Sequence, residues 1–535
     1  MKIICDKKYL LLPVKYQGQN KNLSFFSGKE LVFDLDAALD PLRPDYVACI
    51  NLERFAGMIL DLIIDPATEF TAVLSNDKLV PESVCQEPLR PGFHFSAHRG
   101  WLNDPNGLVR TADGLWHLFF QHNPAGPKWG NMHWGHAVST DLMSWRELDC
   151  ALYPDCLGTM FSGSAIIDRE NRAGFGRGAL LLFYTAAGGT SRLSDSRGFT
   201  QCIAVSRDNG KTFEKYNGNP ILDTLEPGNR DPRVTFDEKN GCAVMALYLI
   251  DHRFALLRSE DFIHWDLLQR LELDGDDECP DFYPLAADGN ENDIRWVFGG
   301  AHGRYCVGRF DGSVFVPEQQ AGQLEYGPHA YAAQTWDNPG SVGPGRIRIA
   351  WNRYELQNMP FNGSMTFPCA LSLRTLNDNI SLCAKPIDAL LKLYKETVVH
   401  RDINLQHGQS WNAMLKGKLY DLSIHLAYAE DSRLQITLFG LSVQYDAKQS
   451  TLSCMEHIAP LSRKDGCENI RLLIDVQGIE IFGGEGEAIL CHGFAMDYDT
   501  NLLEITAEEG NTELRELSIT ELNPTYIKES GEMIS

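Results

Sequence analysis

The chain has 535 residues, too many for a single hydrophobic core, so ~2–4 domains are expected. Hydrophobic residues make up 44% and charged residues 22%, the make-up of a folded globular protein and not of a disordered one. Lys and Arg number 48 against 72 Asp and Glu, a formal charge of −24 that repels phosphate backbones and anionic lipid, so neither nucleic acid nor membrane is expected as a partner.

No apolar run reaches the ~18–20 residues of a membrane span, and Ala179–Ala187 is among the longest. Tyr9–Val14 is short and carries Pro13, unlike a signal peptide, so a cytoplasmic location is expected. The fourteen cysteines, spread from Cys5 to Cys491, have no zinc or redox spacing; reduced, mostly buried thiols are expected, with no metal and no cofactor.

Three zones follow one another. Residues 1–90 alternate short apolar runs with turn residues, and Leu31–Asp36 and Met58–Asp65 read as strands of a small β-rich domain. Prolines between Cys85 and Phe93 mark a linker.

Residues 91–384 carry an internal repeat. Ser139-Thr-Asp141-Leu-Met-Ser-Trp145 returns as Ser206-Arg-Asp208 through Phe213 and as Ser259-Glu-Asp261 through Trp265, with weaker echoes at Asp311 and Asp378. Those aspartates fall 67, 53, 50 and 67 residues apart, and several short strands per unit predict a β-propeller of five blades with insertions on its faces. In residues 385–535 a short helix over Pro386–Tyr394 precedes strictly alternating runs such as Leu422–Tyr428, Leu434–Leu438 and Ile470–Ile474, the pattern of an antiparallel β-sandwich. The fold class is therefore all-β: a five-bladed propeller, a C-terminal sandwich and a small N-terminal domain.

Three carboxylates stand out. In Trp101-Leu-Asn-Asp104-Pro-Asn-Gly107, Asp104 reads as the tip of a turn that aims one carboxylate out of a sheet, with an ordinary self-bonded Asp turn as the alternative. Arg230-Asp231-Pro232 sets a guanidinium beside a carboxylate and is expected to keep Asp231 ionised. Glu278-Cys279-Pro280-Asp281 follows Asp274, Asp276 and Asp277, and these like charges are expected to keep Glu278 protonated, as a general acid requires. Innermost blade strands converge on one axis, so the three could meet at one funnel, and an ionised and a protonated carboxyl are the minimum for cutting a glycosidic bond.

These stretches, with Gln121–Pro124, Trp129–His136, Phe161–Ser164, Tyr331–Thr335 and Ile479–Phe482, resemble glycoside hydrolase family 32, the invertase, inulinase and levanase family, over about residues 93–535. The resemblance implies a retaining hydrolase of β-fructofuranosides: Asp104 the nucleophile, Glu278 the acid and base, and Asp231 a stabiliser of the transition state. It further implies that Asn103, Gln121, Trp129, Phe161, Ser162 and Arg230 line the fructosyl pocket. Retention predicts a nucleophile-to-acid separation of about 5–5.5 Å. The chain departs from many members in having Asp277, not Trp, before the Glu-Cys pair.

Fructosyl transfer is the rival of like chemistry; a non-catalytic fructan-binding protein and an inverting arabinan hydrolase are weaker ones. The expected partner is a small carbohydrate, and self-association is left open. Gly174-Phe-Gly176-Arg-Gly178 reads as a turn and not a phosphate loop, because a strand follows it. His117, His122, His133 and His136 are expected to face different sides and to be structural. Asp274–Asp277 reads as a solvated loop, with calcium as the alternative. Most of the ten Trp are expected in the core, with Trp129 and Trp336 as candidate sugar platforms.

Overall fold

A computed structural model describes residues 1–78, 85–337, 345–462, 466–494 and 496–525. The regular structure of the described chain is almost wholly β-strand; its helical turns are the short 3₁₀ pieces Glu53–Phe55 and Asp388–Leu393, the latter where the sequence predicts a helix. None of its helices is long and apolar enough to cross a membrane.

Near the N-terminus, a four-stranded and a three-stranded antiparallel sheet share one apolar cluster built on Leu10, Leu12, Phe25, Phe33 and Leu62. The predicted strands appear as Glu30–Ala37 and Ile59–Asp65.

Sheets of five, four, four and ten strands follow, and in them five long strands each open an antiparallel run: Gly100–Arg110, Thr159–Asp168, Arg230–Asp237, Asp281–Ala287 and Ala330–Asp337, the last two within the ten-stranded sheet. These five strands neighbour one another in sequence order, and the fifth lies beside the first. Separate apolar clusters fill the seams: Phe119, Trp134 and Tyr184 between the first and second runs, Phe183, Met245 and Phe262 between the second and third, and Phe254, Phe282 and Phe298 between the third and fourth.

The repeated Ser-x-Asp sequence has a common physical cause. In each copy the Asp carboxylate accepts backbone N–H groups two and three or three and four residues on, and the Ser hydroxyl caps the same turn. The residue after the Asp takes positive φ: 66° at Leu142, 59° at Asn209 and 65° at Phe262. In the first and third copies the Trp indole N–H donates to that residue's carbonyl at 3.2 Å, which plugs the turn with an aromatic. The turn therefore recurs where the third strand hands over to the fourth in the first three runs. The glycines at 174, 176 and 178 form the hairpin loop between Thr159–Asp168 and Ala179–Ala187, as expected.

Beyond Tyr394, two six-stranded antiparallel sheets pack on one cluster that includes Leu422, Ile436, Val443, Leu472 and Ile505. Alternation produces this arrangement: Leu422, Ile424 and Leu426 are buried on one face while Ser423 and His425 stay exposed. The last ten residues of this zone lie outside the described ones.

The expected linker is pinned down. Asp475 accepts the backbone N–H groups of Gly92, Phe93 and His94 at 2.6, 3.0 and 3.1 Å. The buried His94 ring spans Asp475 at 2.8 Å and Glu480 at 2.7 Å. Burial alone would depress the imidazole, but the two carboxylates outweigh it and raise His94 from 6.5 to about 9. Burial raises Asp475 as well, and its bonds to His94 and the backbone carry it below its ordinary value.

The sign of the pH dependence follows from these shifts. The His94 contribution is complete below its ordinary 6.5 and is lost as pH rises through about 9. The Asp475 contribution is present above its ordinary 3.8 and is lost as pH falls below it. We expect His94→Leu, which strands two buried carboxylates, to cost about 3–5 kcal/mol in denaturant unfolding at pH 6. That deficit should shrink towards pH 10, and a deficit constant with pH would mean that the imidazole is uncharged.

Candidate active site

The inner strands do not run straight into the site; four of the five lose register as they enter it. Pairing skips between Leu102 and Pro105, between Phe161 and Gly163, between Arg230 and Arg233, and between Tyr331 and Gln334. The skipped segments hold Asn103 and Asp104, Ser162, Asp231 and Pro232, and Ala332 and Ala333. A β-bulge rotates a side chain off the regular face of the sheet, and here it turns polar residues towards one centre. The expected free turn at Asp104 is therefore a bulged strand, with Pro105 at a position where the ladder needs no donor.

Asp104 accepts Asn103 Nδ2 at 3.1 Å on one oxygen and Ser162 Oγ at 2.6 Å on the other. Asn103 is itself fixed by the Trp101 indole at 2.7 Å. The Cys279 thiol lies 3.5 Å from Asp104 Oδ2 and 3.5 Å from Asp231 Oδ2, so one sulfur bridges two of the carboxylates. Asp231 also accepts the Cys279 backbone N–H at 3.1 Å, and its own N–H donates to Thr185 Oγ1 at 3.0 Å.

Glu278 completes the centre. One of its oxygens accepts the Arg230 guanidinium, and the other accepts Tyr331 Oη at 2.7 Å. Arg230 lies over the Tyr248 ring at 4.5 Å and donates to the Gly228 carbonyl at 2.8 Å. Asp231, Glu278 and Cys279 have φ of 65°, 47° and 36°, a left-handed backbone that costs roughly 1–3 kcal/mol per residue and persists only where its surroundings impose it.

The protonation pattern corrects the expectation drawn from sequence. Arg230 does not keep Asp231 ionised, because its tight contact is with Glu278 and its Nε stays 3.8 Å from Asp231. Burial dominates at Asp231; Glu278 and Asp104 add repulsion, Arg230 offsets only part of it, and the carboxyl rises to about 7. Burial also raises Asp104, against the hydrogen bonds from Ser162 and Asn103. At Glu278 burial is outweighed by Arg230 and by the Tyr331 hydrogen bond, so this carboxyl falls below its ordinary value. The free site thus favours its proton on Asp231.

The acidic loop before Glu278 does not surround it with free charge. Asp276 is buried and accepts the N–H groups of Asp277, His302 and Arg304 at 2.8–2.9 Å. Asp277 lies 3.3 Å from His302 Nε2.

All the pocket residues expected from sequence lie in this region. Gln121 is buried and holds the Met160 carbonyl at 2.9 Å, just ahead of the Ser162 bulge. Phe161 packs edge-on against Trp129 at 6.0 Å and against Phe199 at 5.4 Å. Trp129 is 56% exposed, a free aromatic face at the rim, whereas Trp336 is fully buried, donates to the His117 carbonyl and is no sugar platform. The histidines fall into two buried pairs: His117 and His136 meet at 2.9 Å in a stack with Phe119, and His122 lies opposite His133. Their role is packing, since burial keeps all four below the ordinary imidazole value.

Tyr331 and Cys279 hold the carboxylates and Thr185 holds the Asp231 backbone, but none of the three was singled out from sequence. Tyr331 and Cys279 sit inside the quoted motifs, while Thr185 lies in the uniformly apolar run Ala179–Ala187 and carried no signal.

Three carboxyls gathered among five neighbouring strands, with an exposed aromatic close by, are the equipment of a glycoside hydrolase. Residues 94–386 match the model of the glycosyl hydrolases family 32 N-terminal domain. The chain is 31% identical over 507 residues to a levanase of Bacillus subtilis (strain 168), covering 83% of this chain and 72% of that one. It is 28% identical to an extracellular exo-inulinase of Aspergillus ficuum, over 82% of this chain and 96% of that one. The solved exo-inulinase of Aspergillus awamori superposes with a TM-score of 0.72 at 26% identity, over 83% of this chain and all of the other. The fructofuranosidase of Schwanniomyces occidentalis, solved with fructose, also gives 0.72, at 25% identity over 83% of this chain and all of that one. The chain belongs to glycoside hydrolase family 32.

Proposed function

We propose that the protein releases fructose from β-fructofuranosides, sucrose and fructans among them, by a retaining mechanism. The observation that carries this reading is the Asp104–Cys279–Asp231 bridge with Glu278 held by Arg230 and Tyr331. Asp104 attacks the anomeric carbon while Glu278 gives a proton to the leaving oxygen; Glu278 then takes a proton from the water that displaces Asp104. Asp231 holds fructose hydroxyls and balances the cationic character of the transition state.

Asn103, Gln121, Phe161, Ser162 and Arg230 shape the fructosyl pocket, with Trp129 as the platform at its rim. The five strand runs, read as blades closed into a propeller over residues 91–384, give the carboxylates a common axis, and the seam clusters and the return of the fifth inner strand to the first support that closure. The two C-terminal sheets, read as a sandwich over residues 385–535, clamp the propeller through Asp475 and Glu480; residues 1–90 form the third unit. A cytoplasmic site of action is a separate proposal, supported by the burial of eight of the fourteen cysteines as thiols, Cys202, Cys242 and Cys369 among them.

Fructose release from sucrose, inulin and levan, followed side by side, tests the reading. Release from at least one of them as monomeric fructose is expected; binding of all three with no reducing sugar formed would overturn it. A trisaccharide product from concentrated sucrose would mark transfer instead of hydrolysis.

A further inference from the structure

A cleft of about 410 Å³ separates the N-terminal sheets from the rim of the catalytic centre. Its size falls among small-ligand sites, which run to about 300–1,000 Å³. Asn22 and Asp36 line it on one side, and Lys128, Trp129, Thr159 and Arg192 on the other. A short run of contacts joins this cleft to the catalytic centre: Trp129 packs on Phe161, and the next residue, Ser162, donates to Asp104.

The N-terminal sheets are registered on that rim by hydrogen bonds that a loosely appended domain would lack. Asp36 N–H donates to Asn131 Oδ1 at 2.8 Å, and Asn131 Nδ2 donates back to the Asp36 carbonyl at 2.7 Å. Two residues earlier on the same face, the Asp34 carboxylate accepts the N–H groups of Arg192 and Leu193 at 3.1 and 3.0 Å. One strand thus fixes both propeller loops that wall the cleft, including the loop that presents Trp129.

Carboxylate, amide, hydroxyl and cationic groups facing one another around an aromatic suit a ligand with many hydroxyls and an apolar ring face. We propose that this cleft binds the fructosyl units of an oligosaccharide that lie beyond the bond being cut. The proposal rests on the fructosidase reading above. It gives the N-terminal sheets a role in chain-length preference, with sucrose too short to use them.

The test compares Asn20→Trp, which fills the cleft from its N-terminal wall, and Arg192→Ala, which removes a guanidinium and its surface ion pair with Asp65 while leaving the backbone bond to Asp34. Asn20 is an exposed cleft residue outside any strand, so folding should survive, and thermal melting checks this. For both variants kcat/KM on sucrose should stay within about twofold of the parent, while kcat/KM on β-2,1- or β-2,6-linked fructotetraose falls about tenfold through KM, the loss of one or two hydrogen bonds. Equal effects on both substrates, or none on the tetrasaccharide, would overturn the proposal.

Calorimetric binding of the same tetrasaccharides to Asp104→Ala, with and without Asn20→Trp, reads the cleft without turnover. A roughly tenfold weaker affinity in the double variant supports the site, and unchanged affinity refutes it. Failure of the parent to release fructose from any substrate would instead sink the fructosidase reading, whatever the binding result.

Discussion

Asp104→Ala should lose activity by on the order of 10⁴-fold or more while the protein stays folded. The expectation comes from where the side chain sits. Its oxygens are tied to Asn103, Ser162 and the Cys279 thiol, a set of donors that aims a carboxylate and contributes little to packing. Asp104 is also one of three carboxylates crowded into a buried centre, and burial pushes its affinity for protons up. Removing it relieves repulsion on Asp231. Thermal melting should therefore be unchanged or slightly higher as turnover vanishes, the signature of a group whose strain serves chemistry. Activity within tenfold of the parent would exclude Asp104 as nucleophile; a large drop in melting temperature would mean the loss reflects unfolding.

Much of the fold was legible because its signals are local. The Ser-x-Asp turn recurs since one carboxylate can cap two consecutive backbone N–H groups, and that requirement is visible as sequence. Alternation at Leu422–Tyr428 likewise encodes a sheet with one wet face. The three carboxylates were legible as candidates because each stands next to proline or cysteine in a short, polar context.

Their protonation was not legible, since it depends on partners far along the chain. Arg230 adjoins Asp231 in sequence, yet its guanidinium crosses to Glu278, 48 residues away. The acidic run before Glu278 is largely consumed at home, where Asp276 ties up three backbone N–H groups. Bulges were invisible too. Nothing in Phe161-Ser-Gly says that pairing skips there; the slip emerges only when the strand must turn Ser162 towards Asp104. Trp336 failed as a platform for a similar reason, because burial of a large aromatic depends on which sheets close over it.

Glu278→Ala should be nearly inactive on sucrose, whose leaving oxygen needs a proton, and far less impaired on an aryl fructoside, whose leaving group does not. In that variant the covalent intermediate lacks its base, so azide should accelerate turnover and give a fructosyl azide of retained configuration. The pH dependence sharpens the test. In the free site the proton favours Asp231, at about 7, while Glu278 lies below its ordinary value. The reactive arrangement, with Asp104 ionised and Glu278 protonated, carries the same number of protons as the favoured one, so kcat/KM follows the proton count of the whole cluster and not one residue. The parent should thus lose activity as pH rises through about 7, where that shared proton leaves. With azide and an aryl fructoside the variant needs no proton from the cluster, and this alkaline fall should disappear. An azide product of inverted configuration would contradict a nucleophile at Asp104, and an alkaline limb that survives in the variant would assign the shared proton to some other step.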